Sequence, residues 1–389
     1  MRHIKRIRKM LLPFFTVFFC ILALSGPVHV KAATNVVTSA KTVTGGKWVG
    51  QKYKLSNRKY AKNAWLKIGK SIYRFDSRGS RKTGWFTYKN QKYYAASNGK
   101  LYIGKWLKKS GKYYYFMKDG RMAKKTMVVT DGKYYYVNSS GVRVKSAWVT
   151  YKKKRYYFDK NGVRLQNKWL KYNGQYYYLG ADGAKAVNCW VGNYYVGPTG
   201  ARKTDCVVDN YYLGPTGKRL VKKFEGKYIF VGDSRMCEMQ NVVPSSDAAY
   251  IAKVSTGYTW LKSTASTMLK GYLTMNPNVK VILAFGVNDL GNIDNYISYY
   301  NTLIKQYPKT KFYVLSVNPV DEKKEKEHGY TVKNSQIIAF DKKLKAAFGT
   351  GTYLNTYKFI VSRGVDTRDG VHYEEQVYRD LYNYIISKI

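Results

Sequence analysis

Histidine is scarce in this chain of 389 residues, with four in all. His3 and His29 fall in a segment built like a targeting leader, so His328 and His372 are the imidazoles a processed protein would keep. Cysteine is as rare, again four, and no Cys-x-x-Cys pair occurs. Two imidazoles and no paired thiols exclude a protein-bound metal centre, and no cofactor is called for. Acidic residues also run short: 23 Asp and Glu face 69 Lys and Arg, a formal charge of +46. The apolar run Leu11–Leu24 falls short of the about 20 residues of a membrane-spanning helix, which excludes a retained transmembrane anchor.

That run reads instead as the core of a secretory signal peptide over residues 1–33. Arg2, Lys5, Arg6, Arg8 and Lys9 precede it, and Val30-Lys31-Ala32 supplies a small-residue cleavage site. The rest divides by charge. Residues 34–221 hold 40 Lys and Arg against 7 Asp and Glu, a balance of +33; residues 222–389 hold 23 against 16, a balance of +7. Such asymmetry marks two domains with different partners. An exported protein rarely meets nucleic acid, so the basic segment points to a cell-wall polysaccharide or an anionic wall polymer.

Residues 34–221 form a repeat array. Trp65, Trp85, Trp106, Trp148, Trp169 and Trp190 recur along it, with Met127 in the tryptophan position of one unit, at a spacing of 20 to 21 residues through its regular part. A unit reads Trp106-Leu107-Lys108-Lys109-Ser110-Gly111-Lys112-Tyr113-Tyr114-Tyr115-Phe116 and closes at Asp119-Gly120. An aromatic strand, a tight turn, a Tyr-rich strand and a glycine turn make one β-hairpin per repeat. A lone hairpin cannot bury its aromatic face, so the array is expected to stack as a solenoid. Cys189 and Cys206 occupy equivalent places in the last two, shorter units, either as a disulfide or as two small buried side chains. The Trp…Gly-x-Tyr-Tyr-Tyr/Phe…Gly pattern from Trp48 to Leu220 resembles the choline-binding and glucan-binding cell-wall repeats of Gram-positive surface proteins. The resemblance implies attachment to the wall by aromatic contacts. The dense positive charge favours a glycan or polyanion over choline as the ligand.

Beyond Lys222 the pattern alternates. Strands are expected at Tyr228–Val231, Tyr250–Val254, Val279–Phe285, Phe312–Val317 and Tyr353–Leu354, and helices at Tyr258–Lys270, Asp294–Gln306, Val332–Phe348 and Tyr373–Ser387. That order implies a three-layer α/β/α domain with a mostly parallel sheet. The first strand stops at Gly232-Asp233-Ser234, which would place a serine at the sheet's active edge. Serine needs a base, and the base needs an orienting group. His328 sits in a charged run that reads as a solvated loop. His372 follows Asp369 by three residues, a better-placed orienter than Asp366. Ser234, His372 and Asp369 are therefore the candidate triad.

Gly232-Asp233-Ser234, Ser255-Thr256-Gly257, Gly286-Val287-Asn288-Asp289 and Asp369-Gly370-Val371-His372 are similar, in order, to the four blocks of the SGNH (GDSL-like) hydrolases. The resemblance covers nearly all of 227–389. It implies a flavodoxin-like fold, ester hydrolysis, and an oxyanion hole made by the Ser234 N–H, the Gly257 N–H and the Asn288 side chain. Arg235 departs from the family, which often carries leucine there, and is read as a substrate-binding cation. The expected protein is a secreted, wall-associated O-acetylesterase acting on an acylated glycan. The alternatives are a non-catalytic surface adhesin and an acyltransferase using the same serine.

Overall fold

The computed structural model describes Val37 and residues 39–389; the leader expected at 1–33 lies outside the described residues. The chain divides into two compact units. One runs to Val191 and takes in Val196–Ala201; the other holds Gly192–Tyr195 and Arg202–Ile389.

The first unit is the stack of hairpins. Register repeats from unit to unit: Trp85 faces Tyr94, Trp106 faces Tyr115, Trp148 faces Tyr157 and Trp169 faces Tyr178. Two-residue hairpin turns of the favoured hand need positive φ at both positions. Asn173 and Gly174 supply it at 47° and 75°. In each second turn an Asx side chain closes the loop: Asp159 Oδ1 accepts from the Asn161 and Val163 N–H groups, both at 2.8 Å. The residue after that turn clips its hairpin onto the preceding one. Arg143 N–H donates to Tyr113 O at 2.9 Å, and Arg164 and Lys185 donate to Tyr134 O and Arg155 O at 2.8 Å. Phe116, Val137, Phe158 and Leu179, one per repeat, are sealed from solvent. The solenoid expected from the repeat therefore forms.

In the second unit, strands Tyr228–Gly232 (β1), Ala248–Ala252 (β2), Lys280–Ala284 (β3), Lys311–Leu315 (β4) and Tyr353–Leu354 (β5) form a parallel sheet of order 2-1-3-4-5. Its helices are Ser234–Val242 (α1), Ser266–Met275 (α2), Ile293–Gln306 (α3), Glu322–Glu327 (α4), Asn334–Thr352 (α5), Thr356–Arg363 (α6) and Glu375–Lys388 (α7). Alternation along β1 sends Ile229 and Val231 into one core with Leu269 of α2, Tyr296 of α3 and Phe340 of α5. Phe230 goes to the opposite core with Met236 of α1, Ile360 of α6 and Tyr378 of α7. Helices thus cover both faces, which leaves chemistry to the loops at the carboxyl ends of the strands.

One expectation is corrected. The charged run 321–328 is not a solvated loop. Asp321 caps α4 by accepting from the Lys323 and Lys324 N–H groups, and Glu325 turns inward to accept from Val332 N–H. Near the boundary expected between 221 and 222, the compact unit that holds the sheet also takes in residues from Arg202 onward. Strands Cys206–Val208, Tyr211–Leu213 and Arg219–Lys222 form a small sheet packed on α2, where Lys270 bonds Asp205 at 2.7 Å.

That packing sets the sign of a test. Helix propensity alone would make Gly271→Ala stabilising by about 1 kcal/mol. A Cβ at Gly271 would, however, come within 2.5 Å of the Tyr212 ring and 2.6 Å of Val221. We expect Gly271→Ala to destabilise the protein by about 1–3 kcal/mol in urea unfolding. A stabilised variant would mean that the 206–222 hairpin does not pack on α2.

Candidate functional site

The strand β1 ends at Gly232, Asp233 caps α1, and Ser234 is its first residue. Asp233 Oδ1 accepts from the Arg235 N–H at 3.1 Å, which fixes the turn that presents the serine hydroxyl. Ser234 Oγ lies 2.8 Å from His372 Nε2, and His372 Nδ1 lies 2.7 Å from Asp369 Oδ2. The 369–372 loop is shaped for this contact. Asp369 Oδ1 accepts from the Val371 and His372 N–H groups at 3.0 and 2.7 Å. Gly370 takes φ +91°, and a side chain there would run into the backbone of Glu325 in α4. The structure thus brings Ser234, His372 and Asp369 together. His328 is exposed, with Nδ1 against Lys324 O, and stands apart from the triad.

The carboxylates around the serine are poised differently. Burial pushes the Asp369 carboxyl up, but the hydrogen bonds it accepts from the His372 N–H and ring and from the Val371 N–H outweigh that and hold it at about 2. For Asp233 burial wins, against Arg235 and His372, and its carboxyl is pushed up to about 6. Asp341, deeper in the domain, is pushed up to about 8 by burial despite the Val317 N–H that it accepts.

Gly257 and Asn288 lie in the loops after β2 and β3. Asn288 Nδ2 donates to Thr256 O at 2.9 Å, tying one loop to the other. A side chain at Gly257 would collide with the Asp289 carboxylate, which accepts from the Tyr258 N–H at 2.8 Å and from Tyr296 OH at 2.7 Å. Among the described residues no cluster could hold a metal ion.

Arg235 is not free to meet a substrate. It is 5% exposed, and Nε, Nη1 and Nη2 donate to Val371 O, Asn318 O and Pro319 O at 3.0, 2.8 and 3.2 Å. The guanidinium also lies 5.2 Å from the Tyr373 ring centroid. It fastens the histidine loop to the loop after β4, which corrects the substrate-binding reading. A guanidinium placed in a domain core without an ion pair spends its donors on carbonyls. The sequence reading missed Thr256, Pro319 and Tyr373 as partners. Asn318-Pro319 just beyond the fourth strand was the available signal, since strand ends in such sheets gather site residues. Burial raises the Cys206 thiol.

The repeats hold a second set of groups. Trp106 meets Tyr115 and Tyr135 at 5.1 and 5.2 Å, with the Arg143 guanidinium 5.2 Å from its ring. Trp148 meets Tyr157 and Tyr177 at 5.3 and 5.5 Å. Trp85 meets Tyr94 and Tyr114 at 5.2 and 5.0 Å and is 38% exposed.

Residues 83–101, 104–122, 146–163 and 167–185 match the family model described as "Putative cell wall binding repeat", and 184–219 match "Choline-binding repeat". These segments of the array are similar to choline-binding and cell-wall-binding repeats. The matched segments all precede residue 220, so they speak for the hairpin array. No curated protein shows significant similarity to the chain. Among solved structures, it is similar to the choline-binding domain of CbpL from Streptococcus pneumoniae, at 28% identity and a TM-score of 0.39, covering 45% of this chain and 97% of that one. Choline binding protein F from the same organism, solved in the presence of a peptidoglycan analogue, is 30% identical with a TM-score of 0.34, covering 41% of this chain and 52% of that one. The modular autolysin LytC of S. pneumoniae is 19% identical with a TM-score of 0.34, covering 80% and 85%.

Two measurements test the site. Arg235→Met leaves the Val371 and Asn318 carbonyls without donors, while Pro319 O keeps the Tyr373 hydroxyl, at about 1–3 kcal/mol for each buried group left unpaired. We expect a loss of at least about 2 kcal/mol in urea unfolding; a change in KM with native stability would return Arg235 to substrate binding. The second is acid dependence. A carboxyl held below its unfolded value stabilises the fold fully above pH about 4, and that share is lost as pH falls through about 2. The stability gap between the wild type and Asp369→Asn should therefore be level above pH about 5 and narrow below pH about 4. A gap that widens in acid would contradict the hydrogen bonding described here.

Proposed function

We propose that the protein is an exported, wall-associated serine esterase of the SGNH type that removes acyl groups, acetyl foremost, from a wall polysaccharide. The observation that carries this reading is the unbroken line from Asp369 Oδ2 through His372 to Ser234 Oγ, with contacts of 2.7 and 2.8 Å. Ser234 Oγ attacks the ester carbonyl while His372 Nε2 takes its proton. The imidazolium, held by Asp369, returns that proton to the departing sugar hydroxyl. Water, deprotonated by the same nitrogen, then cleaves the acyl-serine to the free acid and restores Ser234. The Ser234 and Gly257 N–H groups and the Asn288 amide hold the oxyanion. Asn288 gives one amide hydrogen to Thr256 O, which leaves the second for the substrate. The 2-1-3-4-5 sheet order and the positions of Ser234, Gly257 and Asn288 beyond the ends of β1, β2 and β3 support the same family reading. The choline-binding repeats would hold the enzyme on its polymer, where tethering raises the effective substrate concentration.

The repeat matches by themselves favour a second reading, a surface protein that binds the wall and carries out no reaction. Acetate release from acetylated wall glycans by the full chain separates the two. We expect release by the wild type, none above background from Ser234→Ala, and a loss of kcat of about a hundredfold or more from Asn288→Ala with little change in KM. Equal release by wild type and Ser234→Ala would leave the wall-binding reading. Acetyl appearing on an added glycan instead of in solution would make the protein a transferase.

A further inference from the structure

The grooves between successive hairpins are built from equivalent positions. They are the tryptophan of one hairpin (Met127 in the groove of Arg164), its cross-strand partner, a tyrosine of the next hairpin, and the residue after that hairpin's glycine turn. Equivalence at the last position is set by the backbone. Met122, Arg143, Arg164 and Lys185 each donate their N–H to a carbonyl of the preceding hairpin, at Lys92, Tyr113, Tyr134 and Arg155. Each also bridges its own hairpin, opposite Phe116, Val137, Phe158 and Leu179. In the Trp85 groove that position is Met122, clustered with Tyr94 and Tyr114. In the Trp65 groove it is Leu101, which donates its N–H to Ile72 O and bridges opposite Ala95; in four further grooves it is a cation. Arg143 lies 3.9, 5.2 and 5.3 Å from the Tyr113, Trp106 and Tyr135 rings. Arg164 lies 3.8 Å from Tyr134, and Arg81 5.2 Å from Trp48. Lys185 lies 6.0 Å from Trp148, which also carries Arg155 at 5.2 Å.

We propose that the grooves filled by Arg81, Arg143, Arg164 and Lys185 are closed to quaternary ammonium groups and instead bind the repeated oxyanions of an acidic wall polymer. The inference rests on reading the array as a wall-binding module. These cations sit at the distance from the rings that a bound quaternary ammonium would take. A second cation in contact with the first would be repelled by more than a desolvated cation–π contact returns. The Nε atoms of Arg81, Arg143 and Arg164 are buried without hydrogen-bond partners, which fixes each guanidinium among the rings. Arg81 and Arg143 form no ion pair among the described residues, so the outer edge of each fork stays free for a bidentate oxyanion. Arg155 and Lys185 share one ring with no carboxylate paired to either, a repulsion that an anion between them would relieve. Several such grooves in series, in a segment of +33, suit a polymer with a charge on every unit better than a single small anion.

The test uses the full chain. Calorimetric titration with poly(glycerol phosphate) and with polyglucuronate separates a phosphodiester source from a carboxylate one, and choline is the third titrant. We expect the wild type to bind at least one polyanion, more weakly as salt is raised from 0.05 to 0.5 M. The triple variant Arg143→Met, Arg164→Met, Lys185→Met should lose at least tenfold in polymer affinity and gain choline sites, with its circular dichroism unchanged. Met122→Arg, the converse change, should strengthen polymer binding and needs no cation removed. Choline filling every groove of the wild type, or polymer affinity unaltered in both variants, overturns the proposal. Sedimentation with purified walls reads the module separately: polymer binding without wall binding would remove the wall-binding reading and leave the chemistry of the grooves standing.

Discussion

A buried or half-buried guanidinium needs a partner, and this chain has too few carboxylates to supply one. With 69 cations against 23 acids, most cations cannot be paired with an acid at all. Two substitutes recur. In the hairpin array the partner is an aromatic face, supplied by a chain that holds 40 tyrosines and 8 tryptophans. In the α/β unit it is the backbone: Arg235 meets three carbonyls and the Tyr373 ring. The side chain beside the serine is thereby turned from a surface cation into a clamp that joins the loop after β4 to the histidine loop. The geometry of Ser234 and His372 depends on that clamp, because the two residues come from opposite ends of the domain.

The acids beside Ser234 and His372 are held at different acidities. Asp369 is held at about 2 because three N–H groups point at it. Asp233, one residue from the serine, accepts a backbone N–H but is sealed from solvent, and burial pushes it up to about 6. The two carboxyls are close in sequence order to the two triad partners yet differ widely in acidity, through desolvation in one case and donated hydrogens in the other. Asp289 serves neither role: it closes the loops after β2 and β3 by accepting from Tyr258 N–H, Tyr296 OH and Asn292 Nδ2.

How much could be read in advance follows from the range of each interaction. The hairpins were legible because their signal is local and repeated: turn, strand register and glycine are set within about 20 residues. All five strands of the sheet were legible as apolar runs, and Ser234, His372 and Asp369 because so few histidines compete for the role. Arg235 was misread because its partners lie 83 to 136 residues away, and a cation beside a serine gives no local sign of facing inward. The 321–328 run was misread for the same reason. Charge density says solvent, while the Asp321 cap and the inward turn of Glu325 toward Val332 are decided by packing against the 369–372 loop. The 206–222 hairpin reads as the last of the array, and its packing on α2 was hidden because it depends on Gly271, a small residue on a distant helix that leaves room for Tyr212.

The array also separates what folds it from what it binds. Its fold is fixed by positive-φ turns, by Asx side chains and by one sealed apolar residue per hairpin, such as Phe158 or Leu179. The residue after each glycine turn contributes its N–H to that framework, which any residue but proline can supply, and its side chain packs on the glycine of the next turn. Yet that side chain lies among the rings of the groove and decides whether the groove is apolar, as at Met122, or cationic, as at Arg143. One position per repeat can therefore change the charge of ligand accepted without disturbing the backbone bonds that hold the stack. The repeat pattern identifies the architecture, and the ligand has to be argued groove by groove from the residue that fills it.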